Sequence, residues 1–434
     1  MPLRSLGRQV LGLVLAALLL YGGMQPPVRN FLTLPPVQRV AATELSQLNW
    51  ELPASLAHQL DVQVKNIDKT STLSEGAPNW HQLQLRLFGI IPLKNITLQV
   101  VEQVSVYPGG QAIGVLLKTE GVQVVGQAPI SDGRGNKLYP GRQGGLEIGD
   151  YIIAIDGQKV TNDQEVAALI DTAGKAGRQA CLTVKRATQI FTLNIQPLYC
   201  QETGRYRIGI YVRDSTAGVG TLTFYDQEET IFGALGHIVT DGNGKEEINI
   251  NGGRIIAAAI QGIHQGRQGQ PGEKIGIILN KSKFSGIITK NTQVGIFGRL
   301  TGKIPASCSE PIPVAMAEQI KPGAAEILTV LEGEKVESFT VEIERVMPHQ
   351  RSSGKGLVIR ITDPRLLAVT GGIIQGMSGS PIMQEGKLVG AVTHVFINDP
   401  ARGYGVLAEW MLQETNLGNS LLTGGTAVDS PGYN

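Results

Sequence analysis

From His81 to Val106 the sequence reads HQLQLRLFGIIPLKNITLQVVEQVSV. Apolar and polar residues alternate there with a period of two, which predicts half-buried strands of a small β-rich region. Beyond residue 205 short apolar runs recur between glycines: RIGIYV, GVGTLTFYD, GRIIAAAI, EKIGIIL, FSGIIT and TQVGIFGRL. Such spacing predicts an all-β sandwich or barrel. Only PVAMAEQI and the later GVLAEWMLQE read as helical within it. The intervening stretch is mixed. A glycine-rich loop, YPGGQAIG, enters an apolar strand; the turn Ile148-Gly149-Asp150 leads into YIIAIDG; a helix begins near Thr161–Asn162; ACLTVKR closes the unit. At the start, Arg4 and Arg8 precede the apolar run Val10–Tyr21, the charged flank and core of an export signal. The run is short for a span, and YGGMQPP after it is a poor cleavage site, so an uncleaved anchor is favoured. The chain thus divides into an anchor (1–24), a linker and β-rich region (25–105), a mixed module (106–200), a β-rich domain (201–426) and a tail (427–434).

Composition narrows the function. Lys+Arg total 38 against Asp+Glu 37, a net charge of +1 without a basic block, which gives no support for nucleic-acid binding. Glycine, at 55 residues, is in large excess and fits many tight turns. Three cysteines show neither metal spacing nor a disulfide framework, though a Cys181–Cys200 bridge is possible. No metal or cofactor is expected.

The richest chemistry lies in Gly376-Met377-Ser378-Gly379-Ser380-Pro381. The G-x-S-x-G elbow of α/β-hydrolases requires a helix next and a second glycine, whereas a hairpin with its turn at Glu385-Gly386 follows here. The run resembles instead the G-x-S-G-x-P turn of chymotrypsin-like peptidases. There the N–H groups of Ser378 and Gly376 would form an oxyanion hole, and Gly379 would let the chain pass behind the nucleophile. Of six histidines, His237 precedes the serine in the order such peptidases use, while His394 follows it on the next strand and His264 lies in an exposed glycine-rich stretch. The acid is open. No aspartate occurs between Asp241 and Asp363. Asp363 is preferred over Asp241, a glutamate is an outsider, and a His237–Ser378 dyad is tenable. Asp363 before Pro364 also fits simple turn initiation.

Two resemblances add to this. GDYIIAIDGQKV and the order of elements around it resemble a PDZ domain, in which a peptide adds as a strand to a sheet edge. The loop and strand carried over are Gly110, Gln111, Ala112, Ile113, Gly114 and Val115. YVRDSTAGVGTLTFYD, GALGHIVTD, GGIIQGMSGSPI and THVFINDPARGYGV together resemble the SpoIVB peptidases, the stage IV sporulation protein B family. The implied fold is mostly β: a chymotrypsin-like double β-barrel preceded by an α+β PDZ domain and a small β-rich region. The implied activity is that of a serine endopeptidase with His237, Asp363 and Ser378 as its triad. Such enzymes are exported from the forespore, held at or released from its inner membrane, and cut themselves. They also cut the regulator of a membrane-embedded metalloprotease, which leads to activation of a late mother-cell transcription factor. The alternative is a membrane-tethered PDZ scaffold without peptidase activity.

Overall fold

The computed structural model describes residues 37–41, 60–66, 79–87, 91–131, 136–240, 250–279, 284–302, 304 and 310–415, with positions 12, 21 and 417. Contacts divide the chain into two units, Met1–Val104 with Asn416–Asn434, and Ser105–Thr415. The first holds the expected β-rich region as a four-stranded sheet. Val37–Ala41 runs parallel to Ile91–Val101, which pairs with Asn79–Leu87, and that strand pairs with Leu60–Asn66. No helix among the described residues is long and apolar enough to cross a membrane. The expected anchor, residues 1–24, lies outside the described residues apart from positions 12 and 21.

Two long strands organise the second unit, Ala112–Gln127 and Ile210–Asp226. Their near halves pair, with Thr221 opposite Ala112 and Gly218 opposite Val115. Ile250–His264, Phe284–Thr292, Gly295–Gly302 and Ile231–Ala234 complete the circuit between them, closing a six-stranded barrel. Its interior is packed by Ile113, Leu117, Leu222, Phe232, Ile255 and Ile296, all buried.

The far halves of the same two strands leave the barrel and join another sheet. Val122 and Gln123 pair with Tyr151–Ile155, which continues to Ala180–Arg186 and Gln189–Ile195. Ile210–Arg213 pairs with Gln127–Gln123 on the opposite side. The mixed module is therefore spliced into the first barrel between two of its strands. Ile113–Leu117, within the segment expected to open that module, belong to the barrel instead, because their partners are barrel strands on both sides. The GD turn is structural: buried Asp150 accepts from the Glu147 N–H at 2.9 Å and from Arg186 Nε at 2.6 Å. The helix Asp163–Lys175 is capped where the sequence places it, with Asn162 Oδ1 accepting from Glu165 N–H and Glu165 accepting from Thr161 N–H. Cys181 and Cys200 are free thiols, so the possible bridge is not formed; Cys308 lies outside the described residues.

A second closed barrel takes six later strands in the order Gly323–Val330, Val336–Val346, Leu357–Ile361, Asp399–Leu407, Lys387–Phe396 and Pro381–Gln384. The architecture is thus the double β-barrel of chymotrypsin-like peptidases with an inserted PDZ module and a separate β-rich unit. The expected helical stretches are short, a 3-10 turn Ala317–Gln319 and the helix Ala408–Leu412. A helix over Pro364–Thr370 was not expected. Asp363 is its N-cap, Pro364 its first residue and left-handed Gly371 its end, a start and stop written in the sequence that reads there as a turn.

Near the end of the helix Asp163–Lys175, a Cβ on Gly174 would come within 2.3 Å of the Tyr206 side chain. Helix propensity alone favours alanine by about 1 kcal/mol. The clash reverses the sign, so Gly174→Ala should destabilise by about 1–3 kcal/mol, read as a lowered denaturant midpoint.

Candidate active site

His237 follows a sharp exit from the strand Ile231–Ala234. Leu235 and Gly236 both take left-handed backbone, with φ of 67° and 71°. A non-glycine residue there is strained, and such strain gathers at functional sites. Gly236 has no substitute: a Cβ would lie 2.9 Å from Thr393 and 3.0 Å from Val406. Asn291 pins the chain just beyond, with Oδ1 accepting from Val239 N–H and Nδ2 donating to the Val239 carbonyl, each at 2.9 Å.

The serine turn comes from the second barrel but is held by the first. Thr221 N–H donates to the Ser378 carbonyl at 2.9 Å. The buried Thr221 and Thr223 hydroxyls donate to the carbonyls of Gly376 and Gly379, each at 2.8 Å. Gly376 and Gly379 have φ of 90° and 92°. At Gly379 a Cβ would lie 2.1 Å from the Thr221 oxygen, so only glycine lets the two barrels approach this closely. Among the described residues, neither the Gly376 nor the Ser378 N–H has an acceptor, as an oxyanion hole requires.

His237 and Ser378 line one cleft of ≈ 520 Å³ between the barrels. Val115, Leu117, Leu235, Ile373, Ile374 and Val395 supply apolar walls, and no Asp, Glu, Lys or Arg is among the lining residues. His394 lines it too, its ring centroid 5.1 Å from that of His237. Burial holds His237 below the ordinary histidine range, against a raising effect of the Ile238 carbonyl. His394 falls to about 4 through desolvation, then the charges of His237 and Lys355. Both rings are therefore neutral at pH 7. His237 Nδ1 lies 2.7 Å from the Ile238 carbonyl. A carbonyl only accepts, so Nδ1 carries the proton and Nε2 keeps its lone pair. Ser378 Oγ donates to the Thr393 carbonyl at 2.9 Å.

The acid is placed elsewhere. Asp363 does not line the cleft. Its Oδ1 caps the helix through Arg365 N–H at 2.9 Å, and its Oδ2 pairs with Arg365 Nη2 at 2.8 Å and accepts from Thr340 N–H at 3.3 Å. These partners, Arg365 foremost, lower its pKa to about 2. Asp241 lies outside the described residues. Within the described residues His237 and Ser378 share the cleft without a carboxylate, and the Ile238 carbonyl sets the imidazole tautomer.

The PDZ assignments move as well. Gly110, Gln111, Ala112, Ile113, Gly114 and Val115 are buried in the first barrel. Ala112–Val115 pair with Thr221–Gly218 on one side, and Ile113–Val115 with Ala257–Ile255 on the other, which leaves no edge for a peptide. The spacing that suggested them, glycines before an apolar strand, serves barrel closure equally well. Thr221, Thr223 and Asn291 went unread. The alternation in GTLTFYD does mark both threonines as one face of a strand, but not what that face meets.

Comparison with known proteins agrees with this geometry. Residues 204–412 match the family described as SpoIVB peptidase S55. The chain carries a peptidase domain of the SpoIVB S55 family. It is a serine endopeptidase. Residues 134–186 match a PDZ domain, within the inserted module and beyond Gly110–Val115. The S55 match takes in the shared strand Ile210–Asp226, while the PDZ match stops short of both shared strands. No curated protein matches the chain. Among solved structures, a PDZ domain of the SdrC-like protein from Listeria monocytogenes is 24% identical over 22% of this chain and 90% of its own, with a TM-score of 0.18. An inactive form of Rv3671c from M. tuberculosis is 14% identical over 45% and 81%, with a TM-score of 0.27. The HtrA-type protease AlgW with a decapeptide is 11% identical over 48% and 52%, with a TM-score of 0.28.

Asp363→Asn separates cap from catalysis, because asparagine caps a helix as well as aspartate does. Hydrolysis of a small ester should fall less than about tenfold, against about 10⁴ for a lost triad acid. Stability gives the second readout. The folded pKa of about 2 lies below the unfolded value, so the carboxylate stabilises above pH 4 and loses this as pH falls toward 2. The variant should flatten that acid loss of melting temperature.

Proposed function

We propose that this serine endopeptidase acts in sporulation through a Ser378–His237 dyad. The observation that carries the catalytic part is the meeting, in one cleft, of a serine turn with two unbonded N–H groups and a neutral imidazole whose Nε2 is free. Rotation of the Ser378 side chain exchanges the Thr393 carbonyl for His237 Nε2. The imidazole takes the hydroxyl proton as Oγ attacks the scissile carbonyl, and the oxyanion is held by the N–H groups of Gly376 and Ser378. The imidazolium then protonates the leaving amine, and water, deprotonated by the same nitrogen, releases the acyl group. The cleft walls favour an apolar side chain beside the cut bond.

The biological reading follows the family description and the module order. The enzyme is exported from the forespore by residues 1–24 and works from or near its inner membrane in the intermembrane space. It cleaves its own chain and the regulator of a membrane-embedded metalloprotease, both presented by the PDZ module. The edge that suits presentation is Ile210–Arg213, which among the described residues pairs with Gln127–Gln123 on one side only, rather than Gly110–Val115. Such an edge can take an added strand.

Two measurements test the reading. Mass spectrometry of chain N-termini, wild type against Ser378→Ala, should show new termini in the wild type alone; equal processing in both refutes self-cleavage by Ser378. The pH profile of kcat/KM tests the base. Protonated His237 cannot accept the serine proton, and burial keeps it neutral to lower pH. The acid limb should therefore fall below the ordinary histidine value of about 6.5.

A further inference from the structure

Beneath the serine turn lies a buried lysine that the proposed chemistry does not use. Lys274 is the second residue of the strand Glu273–Ile278 and is 5% exposed. It meets the turn at three levels. Its N–H donates to the Gln375 carbonyl at 2.9 Å, while Gln375 N–H donates to the Gly272 carbonyl at 2.8 Å. Its stem runs along Gly376, where an added Cβ would lie 3.0 to 3.3 Å from the lysine β, γ and δ carbons. Its Nζ donates to Thr329 Oγ1 at 2.6 Å, and buried Ser380 donates to the same oxygen at 3.1 Å. Thr329, fully buried, belongs to the second barrel.

Among the described residues no carboxylate pairs with Lys274. Desolvation lowers it to about 7. That value lies below the unfolded one of about 10.4, so by linkage the protonated side chain opposes folding. A residue that costs stability at this place calls for another reason to be there.

We propose that Lys274 is a positioning residue of the acyl-transfer site, a strut from a strand paired to the first barrel's Ile250–His264 that holds the Gln375–Ser380 turn so that the Gly376 and Ser378 N–H groups converge. It touches neither substrate nor Ser378 Oγ; it acts through Gly376, and through Thr329 on Ser380. The inference rests on Ser378 as nucleophile.

The test uses the full chain with Lys274→Met, which keeps the stem and removes the head, and Thr329→Val, which removes the head's acceptor. Small-ester kcat should fall about 10- to 100-fold in each while KM stays within about twofold, the scale of a mis-aimed oxyanion donor. The double variant should lose no more than the worse single, since both break one link. Lys274→Met should melt no lower than wild type, because an unpaired buried charge is gone. Wild-type kcat in both single variants overturns the proposal, as does a loss that tracks the folded fraction. Ser378→Ala, assayed alongside, separates the two readings. If it keeps activity, the nucleophile assignment fails; if it is silent while Lys274→Met turns over normally, only the strut is refuted.

Discussion

The serine turn works only if its carbonyls are occupied and its N–H groups are not. A buried main-chain turn normally satisfies both kinds of group, since an orphaned donor costs free energy. Here the carbonyls of Gly376, Ser378 and Gly379 all go to one strand of the other barrel, through Thr221 and Thr223. Two donors are left facing the cleft. Gly379 permits the approach that this requires, with the Thr221 oxygen where its Cβ would stand. The junction of the barrels and the oxyanion hole are thus one set of hydrogen bonds. A peptidase of this kind cannot loosen the first without losing the second.

The same strand carries the inserted module. Ile210–Asp226 begins beside the PDZ sheet and ends at the serine turn, and Ala112–Gln127 runs the other way between the same two places. Val115, Leu117, Gly218 and Val219, all from these strands, line the cleft. No linker intervenes. A strand added at the proposed edge Ile210–Arg213 would join one end of a strand whose residues Gly218 and Val219 line the cleft.

In the proposed dyad, His237 is set by the main chain, without a carboxylate among the described residues. A triad acid sets the tautomer and orients the ring. A backbone carbonyl at 2.7 Å from Nδ1 does the first of these, and the left-handed exit at Leu235–Gly236 with the Asn291 fork beyond it does the second. Burial supplies a neutral base without help from a charge. Asp363 meanwhile is held by its own helix and Arg365, contacts that its place in chain order does not reveal.

Local chemistry determined what the sequence by itself could decide. The glycines of Gly376-Met377-Ser378-Gly379 announced a turn that only glycine can make, the short apolar runs between glycines beyond residue 205 announced a sandwich or barrel, and Asn162 announced a helix start. These are signals spanning a few residues, and they survive any long-range arrangement. Pairing partners do not. Gly110–Val115 has the look of a peptide-binding loop, yet two strands about a hundred residues or more away claim both of its edges. Thr221 reads as a strand residue until the Gly376 carbonyl is brought 2.8 Å from its hydroxyl. Tertiary structure decided those roles because a strand carries the same pattern whichever neighbour it meets, and only closure of the barrels selects the neighbour.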